Sequence, residues 1–213
     1  MSLLKVIVLA LLFTNLLYAE KPYVEAQLLQ KITKKYKVFA KKRFFYLQKT
    51  LDKVKDKDDM AKLKAVNDFY NQVRYASDMK VYGKRDYWAT PWQFLGKDKG
   101  DCEDYVISKY FALIYLGVDS KKLFFTYVKS LRFNASHMVL TYFETPHSEP
   151  LVLGNYNYKI FPASKRKDLI PVYNFNGESL YRAAQRGNGK KVNNNKAHKK
   201  WDELKRRMKK QVI

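Results

Sequence analysis

From Tyr23 to about Leu51 the apolar residues Leu28, Leu29, Ile32, Tyr36, Phe39 and Ala40 recur at three- and four-residue steps. That period predicts an amphipathic helix, and its other face is rich in lysine. A charged run from Lys53 to Asp59 interrupts it. Leu63, Val66, Phe69, Tyr70 and Val73 then form the stripe of a second helix. The stretch from Arg74 to Gly100 holds Tyr75, Tyr82, Tyr87, Trp88, Pro91, Trp92 and Phe94 without a clear period, and reads as a long ordered loop. A third helix is expected from Cys102 to about Leu116, stopped by Gly117. After it the pattern changes. Leu123 to Val128, His137 to Phe143, Leu151 to Leu153 and Tyr158 to Phe161 are short runs of β-branched and aromatic residues, expected as strands. Helices first and antiparallel strands afterwards predict an α+β fold.

Length and charge refine this outline. The chain has 213 residues, enough for one domain with a sizeable core. Its net charge of +22 attracts polyanions in general, whether nucleic acid, anionic lipid or acidic protein, and does not choose among them. Residues 1–19 read as a signal peptide: Lys5 precedes an apolar run from Val6 to Leu17, and Leu17-Tyr18-Ala19 is a cleavage signal. Residues 20–181 are expected as the folded domain. Residues 182–213 are expected as a basic, partly flexible tail, with Gly187-Asn188-Gly189 and Asn193-Asn194-Asn195 as low-complexity stretches. A basic helix carrying Trp201, Leu204 and Met208 is expected near its end. The tail suggests peripheral contact with an anionic membrane. No specific nucleic-acid partner is expected.

The chain contains a single cysteine, Cys102, in the run Gly100-Asp101-Cys102-Glu103-Asp104-Tyr105. In an exported protein it cannot form an internal disulfide, which leaves a buried filler or a reactive thiol. At the first position of a helix, unpaired N–H groups and the helix dipole favour the thiolate and can steady an oxyanion. The carboxylates of Asp101, Glu103 and Asp104 oppose the thiolate. They either cap the helix, Asp101 being a natural cap, or hold a cation. With oxygen ligands and no thiolate or imidazole set, calcium suits them better than zinc. Of three histidines, His198 lies in the basic tail and His147 beside Pro146 in a turn. His137 opens a strand and is the best-placed base for Cys102.

Several runs together resemble a known family. They are Asp86-Tyr87-Trp88-Ala89-Thr90-Pro91, then Gly100 to Tyr105, Lys109-Tyr110, His137-Met138-Val139-Leu140 and Pro150-Leu151-Val152-Leu153. Arg166-Lys167-Asp168-Leu169-Ile170-Pro171-Val172-Tyr173 and Phe175-Asn176 close the series. The chain is similar in this respect to the bacterial transglutaminase-like cysteine proteinases of the LapG type. The resemblance implies a papain-like, transglutaminase-like fold, with the nucleophile at a helix N-terminus packed on an antiparallel sheet. It implies Cys102 and His137 as catalytic residues and calcium held by Asp101, Glu103 and Asp104. Trp88 becomes a candidate oxyanion donor, with packing as the simpler role. It further implies a periplasmic endopeptidase that cuts a large repeat-containing surface adhesin near its N-terminus, controls biofilm attachment, and is sequestered by an inner-membrane cyclic di-GMP receptor.

One position departs from the family pattern. Leu153-Gly154-Asn155 stands where the family has Leu-Asp-Asn, so Gly154 replaces the acid that orients the histidine. Asn155 and Asn157 are the candidate substitutes. Asn155 is expected on the opposite side of its strand. Two alternatives follow: a catalytically weakened relative that acts by binding, and a secreted protein that binds polyanions through its tail.

Overall fold

A computed structural model describes residues 21–177, 179–183, 189–192 and 195–213. The expected signal peptide and the tail residues 187–188 and 193–194 lie outside these described residues. In chain order the elements are α1 (Ala26–Val54), α2 (Asp59–Tyr70), β1 (Arg74–Tyr75), α3 (Asp78–Tyr82), α4 (Pro91–Lys97), β2 (Lys99–Gly100) and α5 (Cys102–Tyr115). There follow β3 (Leu123–Ser130), β4 (Ala135–Tyr142), β5 (Leu151–Leu153), β6 (Phe161–Pro162), β7 (Leu169–Phe175), β8 (Leu180–Arg182), β9 (Lys190–Val192) and α6 (Asn195–Lys209). The α+β fold expected from the sequence is what forms.

The helices bury the stripes that the apolar period marks. Leu28, Ile32, Ala40, Phe44, Leu47 and Leu51 of α1 face the core. Lys37 interrupts α1 with a left-handed φ of 69°. Phe39, just beyond it, falls off the stripe and is 71% exposed. Asp58 caps α2 by accepting from the Ala61 N–H at 2.8 Å. Gly117 ends the turn after α5 with φ of 81°.

The segment expected as a long loop is largely helical. α4 starts with a capping box: the Thr90 side chain accepts from the Gln93 N–H, and the Gln93 side chain accepts from the Thr90 N–H. Pro91 stands at the first helical position, where its missing N–H costs nothing. Short strands β1 and β2 pair in parallel and carry the chain to the start of α5.

The seven-stranded sheet has the order β6-β5-β4-β3-β7-β8-β9, with every pair antiparallel. β7 is a central strand that the hydrophobic pattern did not announce, because Pro171 interrupts it. Proline cannot donate to a ladder, and the β3–β7 register shifts between Tyr127 and Val128, where Val128 meets Pro171.

Sequence positions 199–213 pack against the domain instead of standing free of it. Trp201 is 5% exposed. It lies 5.2 Å from Phe125, 5.5 Å from Tyr110, 5.7 Å from Phe111 and 5.8 Å from Phe175, measured between ring centroids. Leu204 is fully buried beside this cluster. Lys199, Lys205, Arg206 and Lys209 face outward, while these two apolar side chains anchor the helix.

Candidate active site and acidic cluster

Cys102 is the first residue of α5, as the sequence predicts. Its sulfur is reached by the backbone N–H of Met138 in β4. The nucleophile candidate therefore sits against the strand that carries His137, one residue earlier. The Cys102 thiol donates to Glu103 Oε2 at 2.9 Å. Burial and the Glu103 carboxylate push this thiol well above its ordinary value.

Asp101 takes the cap position of α5 but makes no side-chain cap bond. Its carboxylate instead joins a cluster. Oxygens of Asp78, Asp101 and Asp104 lie within 4.8 Å of one another, and Asp78, Asp86 and Glu103 form a second such group. The three carboxylates named from the sequence are thus divided between two groups that share Asp78. Asp78 was not foreseen: it is an isolated acid at the start of α3, and its contribution depends on α3 folding over the N-terminus of α5.

The chemistry of this donor set fits a hard cation. Asp78 and Asp104 are buried. Asp78 Oδ1, Asp101 Oδ1 and Asp104 Oδ2 have no hydrogen-bond partner among the described residues. The other oxygens are fixed by backbone: Asp78 accepts from the Tyr87 N–H, and Asp104 Oδ1 accepts from the Ala89 N–H at 2.8 Å. Burial and mutual repulsion push Asp78 up to about 6 and Asp101 up to about 9, and hold Asp104 well above the carboxylate range. These shifts show that the ionised carboxylates are disfavoured where they stand; a divalent ion with oxygen ligands offsets that cost. Gly100 is required here, because a Cβ would collide with Asp104 Oδ2 and the Phe94 ring.

His137 is 2% exposed, and neither ring nitrogen has a hydrogen-bond partner among the described residues. Its ring lies on Tyr156, with centroids 3.8 Å apart and planes at 4°. Burial pushes the imidazole down to about 4, aided by Arg166 and Lys109 and opposed by Asp168. No hydrogen bond joins the expected pair of Cys102 and His137, and the thiol donates to Glu103 instead. Catalytic hydrogen bonds of free enzymes often tighten only with substrate.

Leu153 and Leu140 form the last pair of the β4–β5 ladder, and residues 155–157 bend after it. A Cβ on Gly154 would meet Val139, which shares its face of β4 with His137. The Asn157 carboxamide oxygen accepts from the Lys159 N–H at 3.1 Å and belongs to its own turn. Neither Asn155 nor Asn157 is hydrogen-bonded to His137, whose ring nitrogens have no partner among the described residues.

Trp88 is 4% exposed and stacks on Phe125 at 6.2 Å. Its carbonyl accepts from Arg207 Nη2 at 2.6 Å, and Lys200 lies 5.7 Å over its ring. These contacts join the sheet, the 86–90 segment and α6.

The family model described as bacterial transglutaminase-like cysteine proteinase, BTLCP, matches residues 43–168. Among solved structures, calcium-bound LapG of Legionella pneumophila is 42% identical, covering 84% of this chain and 97% of that chain, with a TM-score of 0.73. A second LapG structure from the same organism is 40% identical over the same shares, with a TM-score of 0.71. An EGTA-treated form gives 40% and 0.70. A search of curated proteins returned no match. The chain belongs to the bacterial transglutaminase-like cysteine proteinases.

Proposed function

We propose that this protein is an exported, periplasmic, calcium-dependent cysteine endopeptidase. Its substrate is a large repeat-containing surface adhesin, cut near the N-terminus, so that cleavage controls biofilm attachment. An inner-membrane cyclic di-GMP receptor is its regulator. The observation that carries the reading is the position of Cys102 at the start of α5, with its sulfur reached by the backbone N–H of Met138, the residue that follows His137 in β4. Membership of the family supports the chemistry, and the calcium-bound relative supports the metal.

In this reading Cys102 Sγ attacks the scissile carbonyl. His137 takes the thiol proton and returns it to the leaving amine. Its depressed pKa keeps it neutral at neutral pH and also makes it a weak proton acceptor, because burial disfavours the imidazolium that the transfer forms. N–H groups at the start of α5 steady the oxyanion. Asp78, Asp101 and Asp104, with Asp86 and Glu103 beside them, would hold calcium; bound there, it would offset the carboxylate charge that opposes the thiolate. Among the described residues no helix is long and apolar enough to cross a membrane. The test is cleavage of an adhesin N-terminal fragment by purified protein in calcium. Equal results from wild type and Cys102→Ala would overturn the reading.

A second reading is favoured by Gly154 and the unpartnered His137 nitrogens: a weakened protease that acts by binding. A wild type that binds the adhesin fragment without cutting it supports this alternative, and efficient cutting removes it.

A further inference from the structure

Arg166 is a buried arginine with one unused donor. It is 3% exposed, and it holds Asp168 through Nε to Oδ1 and Nη2 to Oδ2, both at 2.8 Å. Nη1 has no partner among the described residues. It lies 3.6 Å from the point where a Cβ on Gly154 would stand. The other atoms near that point are Val139 Cγ1 at 3.4 Å and the Tyr156 nitrogen at 4.0 Å, which are ordinary contacts. A side chain fits here, and Gly154 leaves the position empty.

A second cation borders the same place. Lys109 is fully buried and donates to Asn67 Oδ1 and Asn71 Oδ1, both at 2.9 Å, and to the Gly154 carbonyl at 3.1 Å. All three acceptors are neutral, and burial pushes the lysine down to about 7. Asp168 balances Arg166, but no carboxylate touches Lys109 among the described residues. Unpaired buried charge and unused buried donors are both costly. Val139 and Arg166 also line a neighbouring cavity of about 440 Å³, whose lining includes Glu149 but not Gly154 or His137.

We infer that the space between Gly154 and Arg166 Nη1 is a binding site for a small monovalent carboxylate of the formate or acetate class. The bound anion accepts from Arg166 Nη1 and adds, from solution, a negative charge near His137 to the one that Asp168 already supplies. Its effect on turnover rests on the proposed roles of Cys102 and His137. Its binding does not.

The test titrates sodium formate into the calcium-loaded full chain, with sodium chloride at matched ionic strength as the control. Two quantities are read: the thermal midpoint and the cleavage rate. The expected result is a saturable rise in midpoint with formate beyond that with chloride. A rise in rate of about tenfold should accompany it, a small part of the roughly 10⁴-fold that an orienting acid supplies in a serine protease. Gly154→Asp should abolish both formate responses by filling the site covalently. Gly154→Asn, which fills it without charge, should abolish them too, and stands in if the aspartate variant does not fold. If the protein cuts nothing but formate still raises the midpoint in wild type and not in Gly154→Asn, the site stands and the protease reading fails. No saturable formate effect beyond chloride, or the same effect in both variants, overturns the site.

Discussion

The Tyr156 ring lies flat on His137, with ring centroids 3.8 Å apart and planes at 4°. Tyr156 also meets Phe133 at 4.6 Å and Tyr75 at 6.3 Å, so an aromatic group holds the imidazole in place of an acid. An aromatic pair contributes about 0.5–1.5 kcal/mol beyond its buried area. Tyr156→Phe should therefore leave turnover near wild type, whereas Tyr156→Ala should lower kcat more than it changes KM. Steady-state kinetics on both variants check this.

Calcium should stabilise the fold through acids contributed by both α3 and α5. A ligand at about 100 times its Kd adds about 2.7 kcal/mol. Calorimetry should show a rise in Tm with calcium that EGTA reverses. Asp78→Asn should reduce that rise as strongly as Asp104→Asn does. An unaffected Asp78→Asn would place the ion elsewhere.

Acid should destabilise the protein through His137. Its ordinary pKa is 6.5, and burial pushes it down to about 4 in the fold. Between those values the unfolded chain binds a proton that the folded chain refuses. Stability is then full above about pH 6.5 and is lost as the pH falls toward 4, by up to about 3 kcal/mol. Urea titrations in calcium should show wild type losing more stability over this window than His137→Gln, since the carboxylates are common to both.

The C-terminal helix should contribute to the stability of the whole domain. Trp201 sits among Tyr110, Phe111, Phe125 and Phe175. Trp201→Ala should cost about 3–5 kcal/mol in urea unfolding. A change within experimental error would mean that the helix is only loosely attached.

Periodicity and local chemistry revealed the parts of the fold that obey them directly. The stripe Leu28, Ile32 and Ala40, the start of α5 at Cys102 and the β5 segment Leu151–Leu153 all form as read. The start of α4 was also legible, since Thr90-Pro91-Trp92-Gln93 carries a capping box, but the density of aromatics around it suggested a loop. β7 was obscured by Pro171, whose place depends on a register shift in a neighbouring strand. At the site, residue type and setting marked Cys102 and His137 as the candidates. Asp78 did not, because nothing local marks an acid whose partners lie in another helix. Arg166 stood in a family motif, but its unused donor beside Gly154 emerges only once β5 and the chain after β6 are folded together.

A nucleophilic Cys102 activated by His137 in a calcium-ordered site reacts at a rate that depends on both the base and the metal. The most direct measurement is the rate at which a thiol-reactive peptide probe labels Cys102, located by mass spectrometry, in calcium and in EGTA, for wild type and His137→Ala. The account predicts rapid labelling only in wild type with calcium. Labelling at one rate in all four conditions would contradict it.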